Sequence, residues 1–349
     1  MAAQRSDIPT GPWAKNKIPE GWVVHLTKNY QIQSQVGLEK AERLGEHMEA
    51  MNLVYRKLFR PDKGGIKQQV IKIFEDRKAY LSYGSPPSSA AYYSRTAREM
   101  VCYDTGKWSD EEVSKAAVTG PQAALQKRLS RYEDMMKMDI LGCAAHEGWH
   151  QYFSWLVVSM VVLPSWINEG MGDYFYTAKP HAKPTRSDPA QLGGSNNGRL
   201  MVLKAAVRQK RYVPVPELIT KSKEDFYANG SVCYAEGWAL CQFLLHSGNK
   251  KYEKVIPKFI QLVRNDTNLE DVTNKAFRGI DLDTLDAEFR AFIDTMKLPS
   301  EDEKEVEGEG AGAGQAPGTP PGQAPGQGEG KGEGKGTGEG TGTGEGTGD

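Results

Sequence analysis

The chain has no run of apolar residues long enough to cross a bilayer. Its most apolar stretch, Leu156 to Leu163, is broken by Ser159 and followed by Pro164, whereas a spanning helix needs about 20 such residues. A secretory leader is also missing: the start, MAAQRSDIPTGPW, is polar, so the cytoplasm is the default expectation, and export would require a leader removed earlier. Cysteine is scarce. Cys102, Cys143, Cys233 and Cys241 are scattered, which excludes a cysteine metal cluster. They are expected as reduced core thiols, with a disulfide only in an exported protein. The net charge of −1 excludes a strongly basic chain, and no nucleic-acid partner is expected. No aromatic residue follows Phe292.

That last absence marks a boundary. Residues 301–349 are Glu-rich and then alternate Gly with Glu, Lys and Thr. Such a stretch buries too little apolar surface to offset the entropy of ordering, so a disordered tail is expected. Eleven acids and three lysines give the tail −8, which leaves +7 on the remainder of a chain of net −1.

The remainder reads as an extended segment over 1–20 and one domain over 21–300. Its first part, about 21–135, carries strand signals. Trp22 to Gln33 reads as a hairpin around Lys28-Asn29, and Gln68–Phe74, Ala90–Ser94 and Glu99–Tyr103 as further strands. Leu38 to Phe59 has the spacing of an amphipathic helix, Ala79–Tyr83 of a short one. Ser109–Arg131 reads as a helical insertion. From about 136 to 300 the pattern is mainly helical, with a polar loop at 177–198 containing His181 and helices expected over 199–209, 214–220, 232–247, 252–264, 269–277 and 282–296. DLDTLD lacks the glycine and closing glutamate of a calcium loop and reads as a helix cap. The expected fold class is α+β: a small mixed sheet lobe, a mainly helical C-terminal lobe, and a site in the cleft between.

What the chain does have is HEGWH at residues 146–150, followed by Glu169 in WINEG. On a helix, positions i and i+4 share a face. His146 and His150 can therefore reach one ion, and Glu147, one residue on, can reach a water beside it. Two histidines and Glu169 leave a fourth tetrahedral position open, which is the composition of a catalytic rather than a structural zinc site. One Zn2+ per chain is expected. The eighteen residues between His150 and Glu169 suffice for the first helix to run on, reverse near Val161 to Pro164, and return as a second helix. Ser165 is expected to cap that helix, and Gly170 and Gly172 to bring it close to the first. Asp173, four residues after Glu169, is placed to take the second N–H of a ligating histidine; the alternative is a solvated helix residue.

These residues resemble the gluzincin metallopeptidases, whose pattern is two histidines and a downstream glutamate. HEGWHQYF, LPSWINEGMGDYF, YAEGWALCQFLL and DLDTLDAEFRAFI are closer to small peptidase MA-like proteins, including the DUF1570 group, over roughly 21–297. The resemblance implies a zincin-like fold and a tyrosine that steadies the oxyanion, with Tyr234 the first candidate and Tyr227 the reserve; an ordinary buried tyrosine is the alternative. It also implies that a strand at the sheet edge pairs with extended substrate. Arg95 or Arg98 could add a contact there; the alternative, an ordinary solvated face, is the better expectation. No G-x-M-E-N-like segment precedes the motif, which argues against an aminopeptidase.

The expected function is zinc-dependent hydrolysis of a peptide or protein substrate. Glu147 is the general base, Tyr234 the oxyanion donor, and His146, His150 and Glu169 are the ligands. The alternatives are a catalytically silent zinc-bearing binding module, disfavoured by the intact Glu147, and a zinc hydrolase of a non-peptide amide or ester.

Overall fold

The computed structural model describes residues 20–61, 68–108, 138–158 and 161–298. The expected disordered tail and helical insertion lie outside these residues, as does the expected extended start apart from Glu20. Among the described residues the fold is α+β: a mixed sheet in the N-terminal part and helices beyond it.

The sheet contains β1 (Val23–Leu26), β2 (Tyr30–Ser34), β3 (Gln69–Phe74), β4 (Ala91–Ser94) and β5 (Glu99–Tyr103), in the order β1-β2-β3-β5-β4. β1 and β2 form the expected antiparallel hairpin. β2, β3 and β5 run parallel, and β4 turns back against β5. The edge strands are therefore β1 and β4, and β4 is the one beside the motif helix. β5, the last strand before the motif helix, is interior.

Between β2 and β3 lies α1 (Leu38–Leu58). Ala41, Leu44, Met48, Met51, Val54 and Tyr55 recur at three- and four-residue spacing and are buried, which fixes the face α1 turns inward. A short helix, α2 (Arg77–Ser82), follows β3 and is capped by Asp76.

α3 (Ile140–Tyr152) carries HEGWH and starts at Asp139, whose side chain accepts from Leu141 N. It packs on α1, β4 and β5 on one side and on α4 (Ser165–Tyr176) on the other. With both sides covered, almost every residue of α3 is buried. Gly148 abuts Met48 and Tyr55 of α1. α3 continues as a π-turn over Phe153–Val157, a widened turn that often accompanies functional sites. Ser165 does not cap α4. Pro164 occupies that position without a side-chain bond, and its carbonyl accepts from Ile167 and Asn168.

The helical part continues with α5 (Asn197–Arg208), α6 (Val215–Leu218), α7 (Lys223–Ala228), α8 (Gly230–His246), α9 (Val255–Leu262), α10 (Leu269–Ala276) and α11 (Leu282–Thr295). α7 was not among the expected helices; it is short and polar and is capped by Ser222. Asp281 of DLDTLD caps α11, as expected. α4 lies against α8, and Gly170 makes that approach possible: a Cβ there would lie 2.6 Å from the carbonyl carbon of Gly237. Gly170 thus faces α8 rather than the motif helix. Only Gly172 faces the motif helix. The four cysteines are free and buried. No helix of the described residues is long and apolar enough to cross a membrane.

One buried acid is poorly satisfied. Glu236 of α8 is fully buried. Its Oε1 accepts from Val213 N at 2.9 Å, while Oε2 has no partner. Burial pushes its pKa from 4.5 up to about 8. The folded chain therefore keeps a proton that the unfolded chain releases, and stability falls as pH rises through that window. Glu236→Gln keeps the acceptor and cannot ionise. It should melt about 2–4 °C above the parent at pH 8, and the gap should close near pH 5. An equal gap at both pH values in thermal unfolding would refute the assignment.

Candidate metal centre

His146 and His150 project from one face of α3, one turn apart, with ring centroids 4.9 Å apart. Glu169, one turn into α4, points at both. Its Oε2 lies 3.3 Å from His146 Nε2 and 3.6 Å from His150 Nε2. Taking one donor atom from each residue, the three donors lie within 4.8 Å of one another. This is the only such group of three or more His, Cys, Asp or Glu side chains among the described residues.

Asp173, one turn further along α4, accepts from His146 Nδ1 at 3.0 Å. That bond turns Nε2 toward Glu169 and sets the tautomer. A carboxylate at this position is therefore buried and paired rather than solvated. Its second oxygen accepts from Arg199 Nε at 2.6 Å. Arg199 sits near the start of α5, whose cap Asn196 accepts from the Arg199 backbone. The guanidinium also lies over the ring of Tyr234, 4.6 Å from its centroid. No local pattern in the sequence links positions 173 and 199. The one available signal was a basic residue opening a helix directly after the polar loop.

Gly172 explains how α4 approaches His146 so closely. A Cβ at this position would lie 2.6 Å from His146 Nε2, well inside contact distance.

The outer oxygen of Glu169 is also held. Oε1 accepts from Tyr227 OH at 2.7 Å and from Asn168 Nδ2 at 2.9 Å. Tyr227 closes α7, where its ring meets Phe226 and Tyr234. Burial, reinforced by the Glu169 charge, raises the Tyr227 pKa, so the phenol stays protonated and donates. The tyrosine that touches the carboxylate is thus Tyr227, while Tyr234 stands beside it under Arg199.

The charges in the cluster are mutually dependent. Burial acts against a charged His146, but hydrogen bonds to Asp173 and Glu169 outweigh it and push its pKa up to about 10. Burial would raise Glu169, yet the neighbouring His150 and His146 hold it well below the usual carboxylate range. Without an ion, a proton on His146 balances the acids. Metal ligation would displace that proton.

The donor set fits a divalent ion. Two imidazole nitrogens and one carboxylate oxygen converge, and these are donors zinc accepts. His150 Nδ1 is buried without a partner, so the ring's hydrogen bonding is directed through Nε2 alone. The cluster borders an open cavity of about 1090 Å3, lined by residues of the sheet edge, α3, α4 and the helical part. Glu147, Tyr227, Tyr234, Arg199 and Arg95 all face this cavity.

Other candidates lie elsewhere. His181 pairs with Asp188 in an exposed loop. Arg98 lies over Trp155, 5.3 Å from its ring. Cys143 lines the cavity but is not one of the converging donors.

Residues 140–262 match a family model described as a protein of unknown function, DUF1570. That segment is DUF1570-like, as the motifs led one to expect. The match runs from the first residue of α3 to the last of α9, which is narrower than the 21–297 expected. It contains the ligand candidates, Asp173, Arg199, Tyr227 and Tyr234, and omits the sheet. No curated protein matches the chain.

Gly172→Ala tests the packing directly. The added methyl must displace His146 or α4, so divalent-ion affinity should fall by on the order of 10-fold or more with helix content retained. Chelator competition alongside circular dichroism reads both. Unchanged affinity would show that the His146–Gly172 contact does not hold the cluster.

Proposed function

We propose that the protein is a zinc-dependent hydrolase of peptide bonds on a zincin-like fold, with its active site in the cavity between the sheet and helical parts. The observation that carries this reading is the convergence of His146, His150 and Glu169 beside Glu147 at an open cavity. A structural zinc site would be closed by a fourth protein ligand and has no use for a free acid beside it. The order of elements supports the fold: a mixed sheet with an antiparallel strand at each edge, a buried histidine helix under it, and a second helix returning with the glutamate.

A Zn2+ ion held by these three side chains supplies Lewis acidity toward a water and a carbonyl oxygen. The chain supplies the proton transfers and the positioning. Glu147, which is partly exposed to the cavity, takes the proton of the attacking water and delivers it to the leaving amine. Tyr234 is the better placed of the two tyrosines to donate to the developing oxyanion, because the Tyr227 hydroxyl is engaged by Glu169. Asp173 holds His146 in its tautomer, and Arg199 keeps Asp173 ionised. Arg199 stays charged throughout: burial opposes its charge, but Asp173 more than compensates and raises its pKa.

Glu147→Gln should keep the bound zinc while cleavage falls by at least about 100-fold. His150→Ala should lose both. The assay is digestion of a diverse peptide library read by mass spectrometry, with and without a chelator, beside metal analysis of each variant. Cleavage by Glu147→Gln at the parent rate would remove the base assignment. Zinc uptake with no chelator-sensitive cleavage of any peptide would leave the silent module or the non-peptide hydrolase.

A further inference from the structure

Glu169 presents its two oxygens to different surroundings. Oε2 faces the two imidazole nitrogens at 3.3 and 3.6 Å. Oε1 faces away and accepts two hydrogen bonds, from Tyr227 OH at 2.7 Å and Asn168 Nδ2 at 2.9 Å. Toward a carboxylate both partners can only donate, so neither bond can be reversed by a change of roles. The two donors come from independent places. Asn168 is the neighbour of Glu169 on α4. Tyr227 arrives from α7, where Phe226 is fully buried and the Phe226, Tyr227 and Tyr234 rings lie 5.6 to 6.0 Å apart. The phenol is therefore set in place by packing before it meets the carboxylate.

We propose that Tyr227 and Asn168 are positioning residues that make Glu169 a one-oxygen ligand. A carboxylate can bind a metal through one oxygen or two. An unrestrained Glu169 beside an ion would be free to rotate and offer both, filling a coordination position that water or substrate needs. With Oε1 held on the far side, that position stays open. Tyr227 is thereby removed from direct work on the substrate, and α7 becomes part of the support of the centre. The inference rests on the zinc reading above and concerns only how the third ligand is held.

The test uses the full chain with Zn2+ and Co2+ as the only probes. Zinc affinity is measured by competition with a chromophoric chelator, and coordination is read from the visible bands of the cobalt form, which weaken as coordination number rises. Tyr227→Phe and Asn168→Ala should each weaken zinc binding on the order of 10-fold. Each should also shift the cobalt spectrum toward the weaker bands of a higher coordination number. Asn168→Ala leaves the three-ring cluster untouched, so it decides the matter if Tyr227→Phe folds poorly. Parent-like affinity and spectrum in the variants would overturn the inference and leave the zinc site standing. A parent chain that takes up neither ion would overturn both.

Discussion

The hydrogen bond between Asp173 and His146 is the constraint on which the centre depends. It joins α3, which lies on the sheet, to α4, which lies on the helical part, and it is buried. A buried carboxylate with a single partner would be costly. Arg199 supplies the second partner from α5. The imidazole orientation, the register of α3 on α4 and the position of the first turn of α5 are thus settled by one acid with two occupied oxygens. Changing any of these contacts would leave a buried charge short of a partner.

The same economy runs through the neighbouring groups. Glu169 is held on its outer oxygen by Tyr227 and Asn168, and Tyr234 is held between Tyr227 and Arg199. Each of these groups is therefore held by a neighbour that lines the same cavity. His150 is the exception, with Nδ1 buried and unpartnered. Backing of this kind gives a site its geometry before any ligand arrives, and it is supplied mostly by the DUF1570-like segment.

Much of this was legible in the sequence, because the information was local. The i, i+4 spacing of His146 and His150, the return of the chain at Pro164 and the one-turn step from Glu169 to Asp173 all follow from helix geometry. The strands were readable from their short apolar runs between turn residues. What stayed hidden depends on distant residues meeting. Arg199 is remote from Asp173 in the chain, and Tyr227 is remote from Glu169, with no periodicity joining them. The edge position of β4 follows from an antiparallel return that places β5 inside, and strand order is not written in local pattern. α7 was missed because its polar composition gives little amphipathic signal, and Phe226 is its one buried residue. Gly170 was assigned to the wrong neighbour because both faces of α4 are buried.

That last point sets a limit on how the chain can change. The nearest atoms a side chain at position 170 would strike are main-chain atoms of Gly237, with Cys241 Sγ beside them. Rotamer adjustment elsewhere in the core cannot clear the main chain. Room could be made only by sliding α4 bodily away from α8, and Glu169 rides on α4. The spacing of two packed backbones and the alignment of Glu169 with His146 and His150 are therefore a single variable, so drift in one is registered at once in the other.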